Sequence, residues 1–275
     1  MFNGTSKMLA IAGGLLNMIT INDRISDKLK STDIWIQHIS DDERNLKPMG
    51  LNFRFLEVDL AVKAINDKDY MQSKLHFYIA SLLDKMRVKK FNDTLFDFGL
   101  PYIVYPILSD NEILIKTYSK LRYNAWGRMP SMDENVLKGK DAVWCNTVQF
   151  FMANDVQGIE RNLNIIETLT LSKLPKNKQE LKIDYDFYKA LLSKDKSKCE
   201  ELLEQLVSPK IHKKRNTNDV LAQYVSQPAL GYAKLAWRQG IEVEVNSPLV
   251  PKEILPIEPL DNYEIPYDFL KDEPH

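Results

Sequence analysis

Four histidines, two cysteines and two Asp-x-Asp pairs are the side chains of this 275-residue sequence with the most chemistry to offer. A metal site needs ligands at a fixed spacing, and His38, His76, His212 and His275 form neither an HExxH motif nor any close ligand pair. His76 stands beside the apolar stripe Leu75–Tyr78, which suits a hydrogen-bonded, partly buried ring better than a ligand. Cys145 follows Trp144 in an apolar segment with no adjacent base, so a core thiol is favoured over a nucleophile. Asp67-Lys68-Asp69 and Asp184-Tyr185-Asp186 each fall where a helix is expected to begin. Acids there satisfy free N–H groups and the helix dipole, and capping is the favoured role. Neither GxGxxG nor a Walker A loop occurs. The expectation is a protein with no catalytic residue, no cofactor and no metal.

Charge narrows the partners. Lys plus Arg is 37 and Asp plus Glu is 38, so no global field draws the chain to nucleic acid. The segment Ser208–Asp219 gathers Lys210, Lys213, Lys214 and Arg215 without interleaved aromatics, and is expected to be a solvated interhelical loop. Trp35, Trp126, Trp144 and Trp237 are expected in the core. The last 35 residues carry nine acids against two lysines. Two readings stand: a solvated tail or one folded back on a mildly basic body, and an acidic surface for a basic partner.

The elements that must position these residues are helical. Asn/Asp/Ser clusters at Ile65–Asp69, Leu108–Glu112, Ala153–Gln157 and Leu192–Lys196 recur every ~40–45 residues, about the length of two helices and their connections. Ser109 with Glu112, and Asn154 with Gln157, have capping-box spacing. The flanking stripes are helical in period: Phe55, Val58, Val62, Ile65; Met71, Leu75, Tyr78, Leu82, Met86; Val156, Ile159, Leu163, Ile166. The predicted fold is all-α, with stacked antiparallel helix pairs in a degenerate, solenoid-like repeat. The Gly- and Pro-bearing stretch Gly127–Asp141 is the candidate boundary between halves at 1–130 and 141–275, if they are not one continuous domain.

In "SQPALGYAKLAWRQG", Pro228 suits a first helical turn and Gly240 the position past the last. Ile241–Val245 then alternates with period two, as a short strand would. Pro248, Pro251, Pro256, Pro259 and Pro266 forbid a long helix beyond it, apart from a short one starting at Pro251. The sequence thus predicts an extended proline-rich tail, whose Ile254, Leu255, Ile257, Leu260, Tyr263, Tyr267 and Phe269 cover the last helices. The stretch "MLAIAGGLLNMITI" after Lys7 is too short for a bilayer span and has too little apolar sequence before its small-residue site for a signal peptide. With two cysteines suiting a reducing compartment, the expected location is the cytoplasm, away from any membrane.

"LGYAKLAWRQGIEVEVNSPLVPKEIL", preceded by "YKALLSKDKSKCEELLEQLV", resembles the end of the immunity 49 family of bacterial polymorphic-toxin systems. The likeness runs from about Trp144 onward. It implies an all-α protein that binds and neutralises a cognate toxin inside the producing cell, by stoichiometric occlusion rather than by chemistry. The family context further implies a nuclease-type toxin and interbacterial competition through type VI secretion. An acidic surface would suit a nuclease's basic groove. Glu258, Asp261, Glu264 and Asp268 are therefore the candidate toxin contacts, with Tyr263 and Tyr267 between them as anchors or as buried packing. The alternatives are a helical-repeat adaptor that holds a peptide in a concave groove, and a hydrolase whose site has no recognised motif.

Overall fold

The computed structural model describes residues 19–271. The candidate signal segment lies mostly outside them, as do the acids Asp272 and Glu273. The described chain is all-α. Its helices are α1 (Ile21–Leu29), α2 (Thr32–Asp41), α3 (Leu46–Asn66), α4 (Tyr70–Phe91), α5 (Pro101–Leu108), α6 (Glu112–Tyr118), α7 (Met132–Leu137) and α8 (Ala142–Ala153). They continue as α9 (Val156–Ile165), α10 (Lys182–Leu192), α11 (Lys196–Val207), α12 (Pro209–Arg215), α13 (Gln227–Arg238) and the single turn α14 (Asp268–Lys271). No helix among the described residues is long and apolar enough to cross a membrane.

The four predicted breaks are present, each built from one turn. Lys68, Asp110, Asn154 and Lys194 adopt positive φ and reverse the chain. The next residue, Asp69, Asn111, Asp155 or Asp195, immediately caps the following helix by accepting from the backbone N–H three residues on, at 2.8–3.1 Å. In three of the turns that same residue's N–H closes the preceding helix, as Asp69 N donates to Ala64 O, Asp155 N to Phe150 O and Asp195 N to Ala190 O. One residue therefore ends one helix and starts the next. This corrects the capping boxes expected from spacing. Ser109 donates to Pro106 O inside its own turn, and Asn154 is the left-handed residue itself.

The single-stripe expectation for α3 and α4 is also incomplete. Val58, Val62, Tyr78, Leu82 and Met86 are buried as expected, but so are Phe53, Leu56, Phe77 and Leu83 on other faces, while Met71 and Phe55 are exposed, as is Val156 at the start of α9. Other elements cover this hairpin on several sides, so charged residues are buried in it and must be paired. Arg54 donates to Asp84 (3.1 Å) and Arg87 to Asp93 (2.7 Å), while Asp59 accepts from Arg24 and Lys28. α5 packs against both α4 and α13. At the second contact a Cβ on Gly231 would lie 2.4 Å from Val104, so only glycine permits that approach.

Ile241–Val245 forms no strand, and the described residues contain only an isolated bridge between Trp126 and Met129. The alternation nonetheless places Ile241 and Val243 inside and Glu242 and Glu244 outside. Two carboxylates of α11 stand where a partner strand would: Glu200 accepts from Glu244 N (2.9 Å) and Glu204 from Asn246 N (2.7 Å). Trp126 leaves the expected core and is 76 % exposed on its turn, whereas Trp144 is buried. Ser208–Asp219 is not a solvated loop. It contains α12, where Arg215 is drawn inward by Asp184 at 2.5 and 2.8 Å. If the shared turn residue works as described, Asp155→Ala should cost about 0.5–2 kcal/mol, read by chemical denaturation. Ala at Gln157, the residue expected to cap by spacing, should change stability by less than about 0.5 kcal/mol.

Candidate functional site

The C-terminal segment begins where α13 ends. Gly240, at φ +76°, lets its own N–H reach Trp237 O and the Ile241 N–H reach Ala236 O, which closes the helix and turns the chain back. Ile254 and Leu255 are buried after a single 3₁₀ turn at Lys252–Ile254, the short helix expected at Pro251. Beyond Leu255 the path departs from the sequence expectation. The chain does not seal the last helices but crosses to α3, α4 and the α5–α6 turn.

Three anchors fix that crossing. Lys234, fully buried on α13, donates to Ile254 O (2.9 Å), Pro256 O (2.7 Å) and Asp110 Oδ2 (2.8 Å). Asp110 Oδ2 also faces Lys74 at 2.9 Å and accepts from Glu258 N at 3.2 Å, while Lys74 donates to Glu258 O at 2.8 Å. Burial pulls Lys234 down to about 8 against the opposing attraction of Asp110. The second anchor is Tyr263, whose hydroxyl donates to Ser109 O (2.8 Å) and accepts from Leu260 N, with its ring 4.6 Å from that of Tyr78. Burial raises the phenol of Tyr263, and burial together with the Glu57 carboxylate raises that of Tyr267, the third anchor. Tyr267 donates to Glu57, which is itself bonded to His76 at 2.7 Å, and its ring lies 4.5 Å from Phe53. Phe269 stacks on Tyr267 and packs at a tilt against Phe53, and Leu270 is fully buried.

The six candidate residues therefore separate. Tyr263 and Tyr267 are half-buried, with their hydroxyls engaged inside the protein. Glu258, Asp261, Glu264 and Asp268 are exposed. The Glu258 carboxylate is 73 % exposed at 4.0 Å from Lys74, and Asp268 pairs only with its neighbour Lys271. Asp261 and Glu264 form no ion pair among the described residues. The body holds the segment through backbone carbonyls and phenols and leaves its carboxylates to solvent.

Elsewhere, the residues with chemical potential are structurally engaged. His76 is the partly buried, hydrogen-bonded ring the sequence suggested. Cys145 and Cys199 are buried, and burial pushes the Cys199 thiol up to about 11 and Cys145 higher still. Asp69 caps α4 as expected. Asp184 does not cap: it is buried and bridges Arg215 and the Tyr232 hydroxyl, a partnership across 31 and 48 residues that spacing could not reveal. No group of three or more potential ligands that could hold a metal occurs among the described residues.

The family model of immunity protein 49 matches residues 67–254. The chain belongs to the immunity protein 49 family. The match extends much further toward the N-terminus than the likeness legible from Trp144 onward, taking in α4, α5 and α6. It stops at Ile254, so the exposed acids at Glu258–Asp268 lie beyond it. No curated protein and no solved structure matches the chain.

Lys234→Ala should destabilise this immunity protein by about 3 kcal/mol. That is the low end for a broken buried pair, because Lys74 still faces Asp110. The check is a denaturant titration, with hydrogen exchange expected to rise most at residues 254–260, where the lost donor held the chain.

Proposed function

We propose that the chain neutralises its cognate toxin by stoichiometric binding in the cytoplasm of the producing cell, without chemistry of its own. The toxin is of nuclease type, delivered between competing bacteria by a type VI route, and the contact includes Glu258, Asp261, Glu264 and Asp268. One observation carries this reading beyond family membership: a row of exposed carboxylates, two of which, Asp261 and Glu264, form no ion pair among the described residues, is displayed on a backbone tied to the body at Lys234, Tyr263 and Tyr267. A tail that merely folded back on a basic body would spend its acids on that body, whereas of these four only Glu258 reaches a cation of the described body, Lys74 at 4.0 Å. Such a row offers a basic substrate groove a complementary field, which raises the association rate and is attenuated by salt. The hydroxyls of Tyr263 and Tyr267 then act by holding the row in place.

The test is co-expression with the cognate toxin, together with association kinetics of the purified pair. Lysine at Glu258, Asp261 and Glu264 together should slow association about tenfold or more and flatten or invert its salt dependence. The melting temperature should stay within a degree or two of wild type, since all three side chains are exposed. Unchanged association and unchanged protection of cells would place the contact on another surface.

A further inference from the structure

Beside the acidic row, the chain leaves a cleft of about 240 Å³ between α6 and the C-terminal segment, where aliphatic and aromatic side chains meet Lys85, Asn111, Thr117 and Asn262. Tyr78, Leu82 and Leu114 form its floor, Tyr263 and Ile265 one wall, and Ile113 the opposite lip. The floor residues belong to the packed core, whereas Ile113 is 63 % exposed. Single exposed aliphatic residues are ordinary on protein surfaces. Here the residue adjoins an open cleft whose far wall, Tyr263, is held in place by two hydrogen bonds of its hydroxyl. The volume is below the roughly 300–1,000 Å³ usual for small-molecule sites, and the cleft is open. It fits one large side chain of another protein better than a metabolite.

The charge around the cleft says which protein surface. Asp261 and Glu264 flank Asn262 and Tyr263 in sequence and are exposed beside the wall, and Glu112 precedes Ile113 at the lip, where it pairs with Arg238. Lys85 lines the cleft from α4 but is buried. An apolar centre with a charged, solvated rim is the anatomy of a protein–protein contact in which the rim steers and the centre holds. We infer that this cleft receives an apolar side chain, aliphatic or aromatic, that projects from a Lys- or Arg-rich surface of the toxin. Ile113 and Tyr263 grip it, and Asp261 and Glu264 face the flanking cations. The inference rests on the toxin-neutralising reading above and adds the centre of the contact, the size of the group it takes and the division of labour between rim and cleft.

That division predicts separable kinetic effects, measured with the cognate toxin. Ile113→Lys places a cation at the lip, and Thr117→Arg crowds the same cleft from the next turn of α6; Thr117 lines it and its hydroxyl bonds only to Ile113 O. Each should speed dissociation at least about tenfold while changing association far less, whereas Asp261→Lys with Glu264→Lys should act mainly on association. Ile113→Leu should retain wild-type dissociation. Ile113 is exposed and Thr117 half-buried at the cleft, so a melting temperature near wild type is expected for Ile113→Lys and is measured for both variants. If Ile113→Lys and Thr117→Arg dissociate like wild type while the acid reversals slow association, the cleft assignment is wrong and the acidic contact stands. If the wild-type chain does not bind the toxin at all, the neutralising reading falls and the cleft with it.

Discussion

The buried contact between Lys234 and Asp110 joins parts of the chain that nothing in local sequence connects. Asp110 is the left-handed residue of the α5–α6 turn, Lys234 lies on α13, and the carbonyls of Ile254 and Pro256 complete the ammonium's donors. A charge removed from water is tolerated only when its hydrogen-bonding capacity is met, and here three oxygens surround one ammonium. The requirement works in both directions. Lys234 cannot be buried unless the C-terminal segment passes over it, and that segment, rich in proline and lacking ladder partners, has few other ways to satisfy its carbonyls. The path of the acidic row across α4 follows from this constraint.

The helix turns supply a second layer of the same economy. A left-handed residue followed at once by a capping Asp or Asn lets two helices share one reversal, which keeps the connections short and the pairs close. At the third position of this kind the geometry also serves the core: Asn154 Oδ1 accepts from Gln239, which in turn holds Phe151 O near the end of α13. Turn chemistry that looks local thus fixes tertiary position. The α3–α4 turn likewise sets the helix register that brings Arg54 to Asp84 in the central hairpin.

For the candidate site, the sequence exposed its charge and concealed its setting. The acid excess after Gly240 and the tyrosines spaced among the acids were legible as composition. That the tyrosines face inward and the carboxylates outward was not, because an irregular segment has no periodicity from which to infer a face. The cleft beside it was illegible for a related reason. Ile113 follows a capping residue in an otherwise ordinary amphipathic turn, and its exposure becomes meaningful only when Tyr263, from 150 residues away, forms the opposite wall.

What the sequence determined by itself was whatever depends on near neighbours along the chain. Helical period, the four reversals, Gly240 as a helix stop and Pro228 as a start rest on backbone sterics within a turn or two, and they give the all-α class. The tertiary structure alone decided the partners of Asp110, Asp184 and Lys234, the burial of α3 and α4 on several faces, the exposure of Trp126, and the crossing of the C-terminal segment to α4 instead of the last helices. Each of these depends on which distant group can satisfy a buried charge or fill a gap. A strand-like alternation at Ile241–Val245 shows the boundary between the two. Its in-and-out pattern was fixed locally, but its hydrogen bonds went to Glu200 and Glu204 of α11 because those carboxylates, and no second strand, were the groups that packing brought within reach.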